Sequence, residues 1–149
     1  FYNKRLKFKF SELVYLLILI AIMITITDQT ANLFKDSFQR LRPCYNELIK
    51  DSLRLVKDSC GGKYGFFSAH ASNSFTLAVF FGLLYKKKFR YLIYISLLYA
   101  SLISYSRIYL GVHFPLDLIF GSTFGIIVGI ITFKFYNKYL YFFKLFNKS

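Results

Sequence analysis

Four oily runs, at residues 13–27, 71–85, 91–105 and 116–133, contain a single charged residue, Asp117. A helix needs about 20 apolar residues to cross the hydrocarbon core of a bilayer. Each run approaches that length once its flanking aromatics are counted. Helices of a soluble bundle need polar outer faces. Runs 13–27 and 91–105 offer only scattered Ser, Thr and Tyr. Hydrophobic residues make up 56% of the chain and the mean hydropathy is +0.43, too apolar for a soluble domain with this much charge. The chain therefore reads as all-α: a polytopic membrane helical bundle with about four visible transmembrane helices and a short helical outer loop.

The net charge of +13 would suggest nucleic acid, but its distribution excludes that class of partner. Lys4, Arg5, Lys7 and Lys9 precede the first run. Lys86, Lys87, Lys88 and Arg90 separate the second from the third. Lys134, Lys138, Lys144 and Lys148 follow the fourth. In a four-helix threading these twelve cations share one side, with Glu12 as the nearby acid. The other side carries Lys35, Arg40, Arg42, Lys50, Arg54, Lys57, Lys63 and Arg107, balanced by six carboxylates. The positive-inside rule places the first side in the cytoplasm and the 28–69 loop and 106–116 turn outside it. Low cysteine, absent Trp and abundant Phe, Tyr, Ile and Lys point to an AT-rich bacterial genome. The expected location is the bacterial inner membrane, with the outer loop facing the periplasm.

The chain begins at Phe1, and its basic start leads into a full-length span with no cleavable signal pattern. Cations ahead of the first visible span fit a loop that follows an earlier helix. Residues 1–149 are thus expected to form one integral-membrane domain, truncated at its N-terminus and lacking an upstream first helix.

Residues 29–42 read as an amphipathic continuation of the first span, with Ala31, Phe34, Phe38 and Leu41 at helical spacing. Lys35 and Arg42 then share one helical face, and Pro43 stops the helix. A short helix is expected at 47–57, with Ile49, Leu53 and Val56 turned inward. Cys44 and Cys60 lie in this outer loop. They are either free thiols or a disulfide closing about fifteen residues, worth roughly 3 kcal/mol in the chain-entropy view. A shared loop in an oxidising compartment favours the bond. Neither cysteine has a partner at metal-ligand spacing. In the fourth run Gly121, Gly125 and Gly129 form a stripe that lets a neighbouring helix approach closely, and packing inside the bundle is expected over a dimer face.

The chemistry-bearing residues cluster on the outer side. His113 and Asp117, four apart across a helix start, can share a face. A carboxylate on one ring nitrogen fixes the tautomer and frees the other nitrogen to attack. Arg107, Lys35 and Arg42 supply cations matched to phosphate oxygens. Ser68, Ala69 and His70 stand where the loop enters the second run, with Ser68 as N-cap and backbone N–H groups open to an anion. Two histidines allow one to attack and the other to protonate the leaving oxygen.

These motifs, Lys-x6-Arg-Pro at Lys35 to Pro43, Ser-x-His at Ser68 to His70, and Ser-Arg-x5-His-x3-Asp at Ser106 to Asp117, resemble the type 2 phosphatidic acid phosphatase family, which shares its site with the vanadium haloperoxidases. The resemblance implies an acid phosphatase-type hydrolase acting on a lipid phosphomonoester or pyrophosphate at the outer leaflet. It implies His113 as the nucleophile of a phosphohistidine intermediate, Asp117 as its orienting partner and His70 as general acid. It implies phosphate binding by Lys35, Arg42, Arg107, Ser68 and the backbone at Ala69, with no metal and no cofactor. The expected partners are the bilayer and a membrane lipid phosphate. One departure stands out: the family usually has Gly where this chain has Ala69. A helical N-terminus accommodates Ala; a positive φ would not. Two other functions fit parts of the pattern. A non-catalytic binder or carrier of anionic lipid explains the cations but needs neither His70 nor the His113–Asp117 spacing. A vanadate-dependent haloperoxidase explains the site but not the membrane composition.

Overall fold

The computed structural model describes residues 10–53, 55–56 and 60–146. Lys4, Arg5, Lys7, Lys9, Arg54, Lys57, Asp58 and Lys148 lie outside the described residues, as does the side chain of Lys144. Among the described residues four α-helices form the bundle: α1 (Phe10–Phe38), α2 (Ala69–Leu84), α3 (Leu92–Tyr109) and α4 (Pro115–Phe146). Three are long and apolar enough to cross a membrane, and α2, at 16 residues, is shorter. The chain runs up and down. The end of α1, the start of α2, the end of α3 and the start of α4 therefore meet at one end of the bundle. The Lys86, Lys87, Lys88 and Arg90 connection lies at the opposite end.

The bundle is apolar outside as well as inside. Leu17, Ile18 and Ile22 on α1 and Tyr94, Ile95, Leu98 and Leu102 on α3 are exposed, as a lipid-facing surface requires. Helix α2 is the buried centre, packed on α1, α3 and α4. Its closest neighbour is α4, because the glycine stripe removes side chains from the contact. A Cβ at Gly121 would stand 2.6 Å from the Ser68 carbonyl, one at Gly129 2.8 Å from that of Thr76, and one at Gly125 would run into the Ser72 carbonyl. Thr76 Oγ1 donates to the Gly125 carbonyl at 2.9 Å across this seam. The stripe thus packs within the bundle, as its spacing predicts. Met23, Phe80, Val128, Leu16 and Tyr136 form the main core. A smaller cluster of Ala31, Phe66 and Phe67 underlies the end where the helix termini converge.

Two local expectations are corrected. Helix α1 ends at Phe38, four residues before Arg42, because Gln39 turns left-handed (φ 48°). Residues 40–42 then pair with 63–65: Arg42 N–H donates to the Lys63 carbonyl at 3.1 Å and Gly65 N–H to the Arg40 carbonyl at 2.9 Å. Lys35 and Arg42 consequently do not share a helical face. Among the described residues of 47–57 there is a 3-10 turn at Lys50–Ser52 in place of the expected helix, after another at Pro43–Tyr45. The segment's apolar stripe is only partly covered, Ile49 and Leu53 being half-buried and Val56 52% exposed, and an isolated helix this short is marginal in water. Helix α4 continues well past residue 133, because Tyr136 on its next turns is fully buried against Phe80 and Tyr15.

Replacing Gly125 with Val should destabilise the bundle by about 3 kcal/mol, since the clash is with backbone. Gly62→Val, in open space, should have little effect. Thermal unfolding in detergent distinguishes the two; equal midpoints would refute the α2–α4 seam as a close contact.

Candidate active site

Asp117 is the third residue of α4 and has no exposed surface. Its position follows from helix-start chemistry. Pro115 occupies the first turn, where its missing N–H costs nothing. The Asp117 carboxylate reaches back to the Phe114 N–H at 2.9 Å, the reciprocal half of a capping box. The same oxygen, Oδ2, lies 3.3 Å from His113 Nδ1. The other, Oδ1, accepts from Arg40 Nη1 at 2.8 Å. The Asp117 backbone carbonyl accepts from the Ser68 N–H at 3.1 Å, which ties the start of α4 to the start of α2.

His113 is buried in the α3–α4 turn, 5% exposed. Gly111, with φ +69°, provides the left-handed step that lets the chain reverse there. Burial pushes the His113 pKa below the ordinary histidine value, and the Asp117 hydrogen bond only partly offsets this. Arg42 and Lys35 add to the lowering. The ring is therefore neutral near pH 7. With Nδ1–H donated to Asp117, Nε2 keeps its lone pair.

Arg42 stands in extended backbone just ahead of Pro43. Its Nε donates to the Tyr64 carbonyl at 3.1 Å and its Nη1 to the Cys60 carbonyl at 2.9 Å. Burial lowers its pKa, with Tyr45 and Asp117 opposing, yet a guanidinium stays charged. Cys44 and Cys60 are joined as a disulfide with Cα atoms 6.4 Å apart, which holds the Cys60 carbonyl where Arg42 uses it. Gly65 marks the convergence. A Cβ there would stand 3.1 Å from Arg42 Cγ, 3.4 Å from Asp117 Oδ2 and 3.6 Å from His113 Nδ1.

The remaining residues enclose the same end of the bundle. Ser68 is the fully buried N-cap of α2, its Oγ accepting from Ala71 N–H at 3.5 Å. Ala69 is the first helical residue, and among the described residues Gln39 is the one non-glycine with positive φ. Alanine is therefore unstrained at position 69. The first N–H groups of α2 lack intrahelical partners and face an anion favourably. His70, exposed on the first turn, is within electrostatic range of Arg107, His113, Lys35 and Arg42. Lys35 lies in the last turn of α1, its Nζ donating to Asn32 Oδ1 at 3.1 Å. Arg107 lies in the last turn of α3, its Nε donating to Ser106 Oγ at 3.2 Å. The structure thus brings all eight of these residues to one end of the bundle. The geometry adds Arg40 and Gly65, which sequence reasoning did not place in the site. Their signals were slight: an arginine two before the motif arginine, and a third glycine after Gly61 and Gly62.

The arrangement can bind a polyanion with three cations and present a neutral, oriented imidazole to it. Residues 12–141 match the PAP2 superfamily. Two relatives are each described as a lipid A 4'-phosphatase. The one from Porphyromonas gingivalis is 36% identical over 137 residues, covering 91% of this chain and 56% of that protein. The one from Bacteroides thetaiotaomicron is 44% identical over 108 residues, covering 71% of this chain and 47% of that protein. The crystal structure of Aquifex aeolicus LpxE matches with a TM-score of 0.65 and 32% identity, over 84% of this chain and 75% of that one. The chain belongs to the PAP2 superfamily. It spans about half the length of the curated relatives it matches.

The disulfide makes a direct prediction. Cys44→Ser should lower stability by about 3 kcal/mol and abolish the gel mobility change that reduction produces in the unsubstituted protein. Unchanged mobility of the unsubstituted protein on reduction would show that the thiols are free.

Proposed function

We propose that this chain carries the catalytic site of an integral-membrane phosphatase that hydrolyses a phosphate monoester of a lipid, with lipid A as the favoured substrate. The observation that carries this reading is the grouping around Gly65, where Arg42, Asp117 and His113 surround one glycine. The lipid A 4'-phosphatase relatives favour lipid A among lipid phosphates.

The chemistry divides among named residues. Lys35, Arg42 and Arg107 hold the phosphate oxygens, with Ser68 and the N–H groups at the start of α2. His113 Nε2 attacks phosphorus while Asp117 holds Nδ1–H and stabilises the imidazolium that develops. The bond from phosphorus to the lipid oxygen breaks, and His70 supplies the proton that oxygen needs. His70, now neutral, takes a proton from water as that water attacks the phosphohistidine. The phosphorus–nitrogen bond breaks, and inorganic phosphate leaves. The site sits at the bundle end away from the Lys86–Arg90 cations. That placement supports a periplasmic, outer-leaflet site in the bacterial inner membrane. A headgroup enters there while its acyl chains remain beside the helices.

Phosphate release by the full-length protein in detergent tests the proposal with lipid A, phosphatidic acid, phosphatidylglycerol phosphate and undecaprenyl pyrophosphate. Lipid A should be the best substrate, and His113→Ala should reduce turnover on the order of a thousandfold. Turnover that survives His113→Ala would refute the assignment.

The pH profile carries a further expectation. Attack needs neutral His113, and burial lowers its proton affinity. The acid limb of kcat/KM should therefore lie below the ordinary histidine value of about 6.5. The sign for stability agrees. A histidine with a depressed folded pKa stabilises the fold above its unfolded value, and this contribution fades as pH falls through the folded one. An acid limb above about 6.5 would contradict the burial argument.

A further inference from the structure

A buried ionised carboxylate is tolerated only when its lone pairs are met. Asp117 Oδ2 meets the Phe114 N–H and His113. Its Oδ1 meets Arg40 at 2.8 Å. Arg40 is itself held in two further ways. Its guanidinium carbon lies 4.5 Å from the centroid of the Phe114 ring, and its carbonyl accepts from the Gly65 N–H at 2.9 Å. Arg42 also feels the Asp117 charge, but its Nε and Nη1 are directed to the carbonyls of Tyr64 and Cys60. Arg40, by contrast, is bonded to the carboxylate.

We propose that Arg40 is a positioning residue for the His113–Asp117 pair: its guanidinium neutralises Asp117 and holds Oδ2 toward the imidazole. Two consequences follow. The orientation of His113 depends on a cation that stands outside the phosphate-binding set. The pull of Asp117 on the imidazole proton is also divided between two partners. The other groups facing His113 are Lys35 from α1, His70 from α2 and Arg42 from the loop. Loss of Arg40 leaves the Asp117 charge to act on the imidazole more strongly, so His113 should hold its proton more tightly.

The chain has two histidines. In full-length protein carrying His70→Gln, the imidazole resonance that a further His113→Asn change removes from the NMR spectrum in detergent micelles belongs to His113. Adding Arg40→Gln should raise its midpoint by about one pH unit, and adding Arg40→Lys should leave it nearly unchanged. An unmoved midpoint in Arg40→Gln overturns the proposal. Should Arg40→Gln fail to fold, adding Asp117→Asn should restore folding, because the unpaired buried charge is then gone; failure of that rescue also overturns the proposal. The kinetic part rests on the phosphatase reading and uses His70-intact protein. Arg40→Gln should lower kcat about tenfold with KM for lipid A nearly constant, and move the acid limb upward. A raised KM with kcat intact would make Arg40 a substrate ligand and overturn the positioning role. The titration needs no turnover. Inactivity of the unsubstituted protein toward lipid phosphates thus counts against the phosphatase reading alone.

Discussion

The site end of this bundle depends on one buried carboxylate. Asp117 caps the start of α4 through the Phe114 N–H, receives the ring of His113 and pairs with Arg40 from the loop. Through its backbone carbonyl it also fixes the first turn of α2 at Ser68. Three separate segments are therefore registered by a single residue with no exposed surface. A group so enclosed is tolerated only because each of its oxygens has a polar partner. The arrangement that keeps the helix start intact is the one that orients the imidazole.

The apolar body of the bundle serves this geometry from below. The glycine stripe on α4 brings α2 close enough that Ser68 can reach Asp117. In lipid, such proximity comes from van der Waals packing of small residues rather than from the expulsion of water. The Ala31, Phe66 and Phe67 cluster then supports the segment leading into α2. On the far side, the Cys44–Cys60 disulfide and the pairing of 40–42 with 63–65 hold Arg42 over the same point. The proposed phosphate pocket is thus built from helix termini and one short loop that are joined through Asp117.

Much of this was legible in the sequence, and the parts that were not share a cause. Apolar runs reveal membrane helices because the bilayer imposes length and composition locally. The capped starts of α2 and α4 were legible for the same local reason: Ser68 and Pro115 act on their own neighbours. The end of α1 was not. Pro43 is a visible breaker, but the helix stops earlier at Gln39, where no glycine or proline gives warning. It does so because residues 40–42 find partners more than twenty positions away. The places of Arg40 and Gly65 in the site were not legible for that same reason, since they exist only once the loop has closed on α4. Where a helix was expected at 47–57, the described residues hold a 3-10 turn, the apolar pattern being only partly covered. Ala69, a departure from the glycine that the family resemblance leads one to expect, stands in the first turn of a helix without positive φ.

The central claim is that His113 forms a covalent bond to phosphorus. Rapid-quench labelling tests it most directly, using lipid A radiolabelled in its phosphate and full-length protein in detergent. The account predicts an acid-labile label on the peptide that contains His113, absent from His113→Asn. Turnover with no protein-bound phosphate, or label on the peptide that contains His70, would contradict it.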